Sequence, residues 1–386
     1  MTTTIIIALC SLLLIAYLFD ISSSKTRIPA VILLFALGWL VRQGTTYLEI
    51  NIPDFSPVLP VLGTIGLILI VLEGSLELEF HKSKIPLITR SAIGATIPII
   101  LLAFGMAYAF KLAGIGHMHD NLLNALPLCV ISSAIAIPTA KSLTTSQREF
   151  VTYESSLSDI IGVLLFNFVL ANAVVNFAAI GHFVLELIIM AAISFVATKG
   201  LAYLLHRINH HIKFVPIILA VILIYAIAKF YHLPSLIFIL LFGLFLGNID
   251  ELKHYALIKR LHPDELQEEV HKLRELNAEG AFLIRSLFFL LFGFLIDTNE
   301  LLNLDTLMWS GGIVLAIFIL RAIQLKLSGI PMSPLLFIAP RGLITILLFL
   351  SIPATQTISL VNNSLLIQII ILTALVMMAG MMGRKR

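Results

Sequence analysis

Charge is scarce in this sequence: only 12% of its 386 residues are Asp, Glu, Lys or Arg, against the ~25% of an ordinary soluble domain. That shortage excludes a string of soluble domains, and the 59% of hydrophobic residues in its place calls for an all-α polytopic membrane protein. Cysteine is nearly missing too. Cys10 and Cys129 both sit inside apolar runs, which excludes a disulfide framework and leaves them as small core residues. No cleavage pattern follows the first apolar run, since Ile5 to Phe19 leads into Asp20 and further apolar segments, so the first helix is expected to remain. No basic cluster stands away from the membrane flanks, and the net charge of +3 therefore argues for no nucleic-acid partner.

Long apolar runs are what the chain has in abundance. Runs of about 17 to 25 residues cross the hydrocarbon core, and thirteen are found: 4–20, 28–42, 58–78, 85–112, 121–142, 149–175, 180–206, 214–231, 234–249, 281–297, 306–327, 331–353 and 361–383. Lys and Arg concentrate in alternate loops, at Lys25 and Arg27, Lys82 and Lys84, Lys141 and Arg148, Arg207 and Lys213, Lys253 to Arg274, Lys326, and the tail Arg384-Lys385-Arg386. Cytoplasmic loops collect these residues. The N-terminus is thus expected outside and the C-terminus inside a bacterial inner membrane.

The two halves echo each other. Pro29 and Gly38 are nine apart in the second helix, as are Pro234 and Gly243 in the ninth. Leu72-Glu73-Gly74 before Glu77 and Glu79 in the third helix resembles Phe292-Gly293 before Asp297 and Glu300 in the tenth. Pro138 interrupts the fifth helix and Pro340 the twelfth. These pairings predict two inverted six-helix repeats, residues 1–179 and 214–386, joined by a linker helix in 180–213. Residues 251–280 read as a cytoplasmic amphipathic linker, starting at Pro263-Asp264 with Leu266, Val270, Leu273 and Leu276 at helical spacing.

Chemistry concentrates where polarity breaks into these runs. Glu154-Ser155-Ser156-Leu157-Ser158-Asp159 enters the sixth helix, and the i, i+4 pairs Glu154/Ser158 and Ser155/Asp159 put a polar face on one side of it. An ionisable group inside a spanning helix is costly, at least ~2.5 kcal/mol on insertion scales, and marks a functional site by default. Broken helices in inverted repeats point to a substrate site near the midplane. Pro138 and Thr139 in one break and Pro340 in the other are the expected hinges, with Arg341 offsetting the exposed helix ends.

Glu-Ser-x-x-x-Asp on the sixth helix, the broken fifth helix and Arg341-Gly342 after the twelfth-helix break together resemble the cation:proton antiporter superfamily, the sodium:proton exchangers of the NhaP and NapA kind. The likeness covers essentially the whole chain. It implies thirteen helices divided between a dimerisation scaffold and a moving core, hence a homodimer. It also implies Asp159 as the aspartate that binds cation and proton, Ser155 as a hydroxyl ligand and Glu73 as an acid near the site. Ser158 falls where electroneutral members carry Asn and electrogenic members a second Asp, and Glu154 matches the acid paired with an arginine of the eleventh helix, here Arg321. Where members place Thr-Asp before the helix-five proline this chain has Ala136-Ile137, similar to the potassium-efflux branch, so Na⁺, Li⁺ and K⁺ all stay open.

A carboxyl group in a dry site favours its neutral form, and a bound cation favours the charged one. A site that hosts either a proton or a cation, and moves only when loaded, is an antiporter. Such a protein needs no cofactor and performs no enzymatic reaction. Two rivals share the scaffold: a symporter holding an organic anion on Arg341 and Arg321, and a non-transporting membrane sensor using 251–280. Arg285, in the tenth helix, acquires no role in any of them.

Overall fold

The structure, a computed structural model, describes residues 2–26, 28–50, 52–78, 81–174, 176–207, 213–252 and 263–383. Arg27, Glu79, Lys253, Lys259, Arg260 and the Arg384-Lys385-Arg386 tail lie outside the described residues.

Among the described residues every regular element is helical. In order these are α1 (Thr2–Thr26), α2 (Ala30–Tyr47), α3 (Val58–Glu77), α4 (Ile85–Leu112), α5 (Met118–Cys129), α6 (Ser133–Ala140), α7 (Thr145–Ala171), α8 (Phe177–Arg207), α9 (Phe214–Phe230), α10 (Leu236–Gly247), α11 (Ile249–Leu252), α12 (Pro263–Leu295), α13 (Thr298–Leu301), α14 (Leu304–Leu327), α15 (Leu343–Leu350) and α16 (Asn363–Met382). Among the described residues ten stretches, α5 and α6 counted as one, are long and apolar enough to cross a bilayer, and α9 and α10 are shorter apolar helices. Helix is the form such segments must take, because lipid offers no partner to an open backbone N–H or C=O. Large apolar side chains stand outward on α8, with Ile188 at 61% and Val196 at 71% exposure, as suits a surface solvated by acyl chains.

Two expectations are corrected. Residues 331–353 do not form one interrupted helix: a single 3₁₀ turn, Leu335–Phe337, is followed by extended chain and then the two turns of α15. The linker expected at 251–280 is not set apart from the next span where it is described, from residue 263 on; 253–262 lie outside the described residues. From Pro263 its amphipathic stretch runs without a break into the predicted tenth span, as the 33-residue α12. No proline follows Pro263 within α12, and Gly280 alone is too weak a breaker to stop a helix. Leu266, Val270 and Leu273 are buried, but Leu276 is 38% exposed and Asn277 is buried in its stead. Asn277 Nδ2 donates to the Leu69 carbonyl at 3.0 Å and Arg274 to that of Leu76 at 2.5 Å, so this half of α12 is docked on α3.

The chain forms two compact units. The first comprises Met1–Thr64, Ser91–Gly162 and Leu283–Arg386, the second Ile65–Arg90 and Val163–Phe282. In the first unit α2 and α12 touch backbone to backbone: a Cβ on Gly38 would stand 2.8 Å from the Phe294 nitrogen, and one on Gly293 2.5 Å from the Phe35 carbonyl oxygen. In the second unit Gly243 lies against Ser75 and Leu72 of α3, and a Cβ on Gly247 would stand 2.6 Å from the Leu76 carbonyl oxygen. The glycines of the two proline–glycine echoes therefore serve alike, each letting one helix approach another. Gly38→Leu must push α2 off α12; overpacking of this kind costs about 1–3 kcal/mol. A lower melting temperature in detergent, with unchanged oligomeric state by size exclusion, is the expected result.

Candidate functional site

The first unit holds two breaks that meet. α5 ends at Cys129, Val130 to Ser132 are extended, and α6 starts at Ser133. Across from it the extended stretch after Phe337 ends at Gly342, where α15 begins. The two cross at one backbone hydrogen bond, the Ser132 N–H donating to the Pro340 carbonyl at 2.9 Å. Gly342 makes the crossing possible, since a Cβ there would press on Ser132 and Ile135 at 2.8 Å.

The fifth-helix break is not at the predicted hinge. It opens at residues 130–132, while Pro138 lies within α6 and the Thr139 hydroxyl donates back to the Ile135 carbonyl at 2.8 Å. The opening is held by side chains from elsewhere. The Ile131 N–H donates to Ser158 Oγ at 2.9 Å, and the Ser133 N–H to Asp159 Oδ2 at 3.3 Å; the Ser133 hydroxyl donates to the same oxygen. Asp159 thus caps the positive end of α6, where an anion is favoured. The opposite end is covered by cation: Arg341 Nε donates to the Leu128 carbonyl at 2.8 Å and Nη1 to that of Ala339 at 2.9 Å. Arg341 is 1% exposed, and Thr373 Oγ1 accepts its backbone N–H at 3.1 Å.

Two oxygens at this crossing have no partner. Asp159 Oδ1 and Ser132 Oγ are both buried without a hydrogen bond, as is Ser156 Oγ. An orphan carboxylate oxygen in a dry site is expensive unless something charged meets it. Ser155 turns its hydroxyl proton to the Val151 carbonyl at 2.7 Å, which leaves its oxygen able to accept. Glu73, by contrast, belongs to the second unit and is half-buried there.

Glu154 points elsewhere on α7. Its oxygens meet Arg321 Nη1 at 3.0 Å and Nη2 at 2.8 Å, a bidentate pair 2% and 3% exposed. Gln324 Nε2 adds a 2.8 Å bond to the same carboxylate and Arg321 Nε donates to the Leu335 carbonyl at 2.9 Å. A cavity of about 20 Å³, room for one water, lies among Ser158, Arg321, Gln324, Arg341 and Cys129. Sequence reasoning missed Gln324, and it gave Ser132 and Ser133 no individual role. Ser132 and Ser133 opened the hydroxyl-rich stretch before Pro138, a signal that could have singled them out; a neutral glutamine on an apolar helix carried none.

A family model for the sodium/hydrogen exchanger, transmembrane, matches residues 10–383. The chain belongs to the sodium/hydrogen exchanger family. Two solved structures are similar to this exchanger. A structure of the sodium proton antiporter MjNhaP1 from Methanocaldococcus jannaschii at pH 8 matches with a TM-score of 0.67 and 16% identity, over 99% of this chain and 100% of that one. An electron-microscopy map of the same antiporter gives 0.68 and 18% identity, over 98% and 95%. None of the curated proteins matches the chain. At these identities the likeness carries the fold, and the family carries cation/proton exchange as the class of activity. The exchanger is a multi-pass membrane antiporter.

Proposed function

We propose that this exchanger swaps one monovalent cation, Na⁺ first and Li⁺ or K⁺ next, for one proton, by competition at Asp159 and alternating access. The observation that carries the reading is the state of that carboxylate. One oxygen is held at the start of α6 by Ser133, and the other is buried, unpartnered, at the crossing where Ser132 Oγ is unpartnered too. Oxygen donors of this kind suit hard cations. The proposed ligands are Asp159 with Ser132, Ser155 and Ser158, and the resemblance of the sequence adds Glu73 as a further acid.

Charge balance follows from the same contacts. Glu154 is neutralised by Arg321, and Ser158 is neutral, so among the α7 residues of the site Asp159 is the single acid left to trade one cation for one proton. Exchange is then electroneutral. The organic-anion reading would need a free guanidinium, but Arg321 is engaged by Glu154, and Arg341 by the Leu128 and Ala339 carbonyls. The sensor reading loses its separate module, since 263–280 is the first part of α12. Two inverted repeats about a 180–213 linker, a homodimer, an inner-membrane location with the N-terminus outside and a role in pH homeostasis complete the proposal.

Everted vesicles test it. Na⁺, Li⁺ or K⁺ added to vesicles with an imposed pH gradient should dissipate that gradient, at a rate unaffected by clamping the membrane potential. Proton movement driven by an organic acid and by no alkali cation would sink the proposal.

A further inference from the structure

Between α4 and α14, within the first unit, runs a groove of about 760 Å³. Its walls are apolar. Small residues one helical turn apart lie along it, Gly105 and Ala109 on α4 and Gly312 and Ala316 on α14. A Cβ on either glycine would meet nothing within 4 Å, so the space above them is open.

The length of the groove decides what can fill it. Arg90 and Lys111 bracket twenty uncharged residues of α4, about 30 Å at 1.5 Å per residue, which is one hydrocarbon thickness. The groove takes residues 101–110 of that stretch, the half beside Lys111, and its α14 wall runs from Met308 to Ile323. A spanning helix of a partner or of a second copy needs ~20 residues and would find a seat on α4 along only half of its length. A single acyl chain belongs to one leaflet and matches that half.

The mouth adds a headgroup. Phe110 and Trp309 meet there, ring centroids 5.7 Å apart and planes at 64°. Tryptophan favours this level because its ring stays in apolar surroundings while its N–H finds a polar partner. The indole N–H of Trp309 donates to no described residue. Asp305, one turn earlier on the same side of α14, is exposed and pairs with no described cation. Lys111 lies at this end too, but at about 100° per residue it leaves the opposite side of α4. Anionic lipids are drawn by basic clusters; here a carboxylate and an N–H face the groove instead.

We propose that the groove seats one acyl chain of a zwitterionic, amine-bearing phospholipid, phosphatidylethanolamine, with Trp309 donating to its phosphate and Asp305 accepting from its ammonium. The site is separate from the Asp159 crossing and does not depend on how exchange occurs.

Trp39 and Trp309 are the two tryptophans of the chain, so Trp39→Phe leaves Trp309 as the reporter. In detergent micelles, phosphatidylethanolamine with brominated acyl chains should quench Trp309 saturably, and the unbrominated lipid should reverse the quenching. Phosphatidylglycerol should reverse it at least about threefold less well, the scale of one exposed ion pair. Gly105→Leu combined with Gly312→Leu fills the groove and should abolish the saturable quenching, whereas Asp305→Asn should remove the preference between the two lipids. Quenching that follows only the lipid fraction of the micelle, alike in parent and filled variant, overturns the groove. A preference for phosphatidylglycerol overturns the headgroup assignment. Should Trp39→Phe fail to fold, native mass spectrometry of chains that keep Trp39 decides: one phosphatidylethanolamine retained by the parent and none by the filled variant supports the proposal, and equal retention overturns it.

Discussion

Asp159→Asn leaves everted vesicles with no cation-driven proton movement above background, while the protein accumulates in the membrane and melts within a few degrees of the parent. The two halves of this expectation have different causes. Asparagine keeps the shape and one acceptor oxygen, so the Ser133 N–H and hydroxyl still have a partner and α6 keeps its cap. What asparagine lacks is charge. Two unit charges about 4 Å apart interact by ~4 kcal/mol at an effective dielectric of 20, which is on the order of a thousandfold in affinity. It also cannot take up and release a proton, so neither partner of the exchange has a carrier. Competition adds a signature in the parent: on the acid side the KM for the cation should rise about tenfold per pH unit, with the maximal rate little changed. A variant that still exchanges, or a parent KM that ignores pH, removes Asp159 from the centre of the mechanism.

Where the chain breaks shows how far sequence carries. The twelfth-helix break was legible because Pro340 and Gly342 are local causes: one lacks an N–H and the other permits the crossing. The fifth-helix break has no local cause. Val130, Ile131 and Ser132 are ordinary helix residues, and what holds them open comes from α7 and from Pro340, through Ser158, Asp159 and one backbone carbonyl. A proline six residues past the break drew the prediction to the wrong place. The same limit explains α12: periodicity identified both its amphipathic half and its apolar half, but only the tertiary partners, Leu69 and Leu76, show that the two are one docked helix. Asp159 itself was legible, since a carboxylate followed by Ile160, Ile161 and Gly162 in a spanning helix is too costly to persist without a use. The role of Ser133 as its hydrogen-bond partner was not, because that contact is made between two helices.

The buried pair on the other side of α7 yields the second large effect. Arg321→Met leaves Glu154 charged, 2% exposed and with Gln324 as its one remaining donor, and takes a donor from the Leu335 carbonyl. Stranding one member of a buried pair costs about 3–5 kcal/mol, so the variant should accumulate poorly and melt well below the parent in detergent. Glu154→Gln should be milder, because Arg321 keeps the Leu335 carbonyl and Gln324 Oε1. Combining them as Glu154→Gln with Arg321→Met removes both charges, and replacing a whole buried pair is often close to neutral. The double variant should therefore recover most of the lost stability. Its transport then separates two roles for Glu154. If the pair only clamps α7 to α14, the recovered protein exchanges cations with the parent KM and the same insensitivity to membrane potential. If the recovered protein is stable but silent, or its exchange becomes electrogenic, Glu154 takes part in the ion pathway and the charge balance drawn from Asp159 alone is wrong.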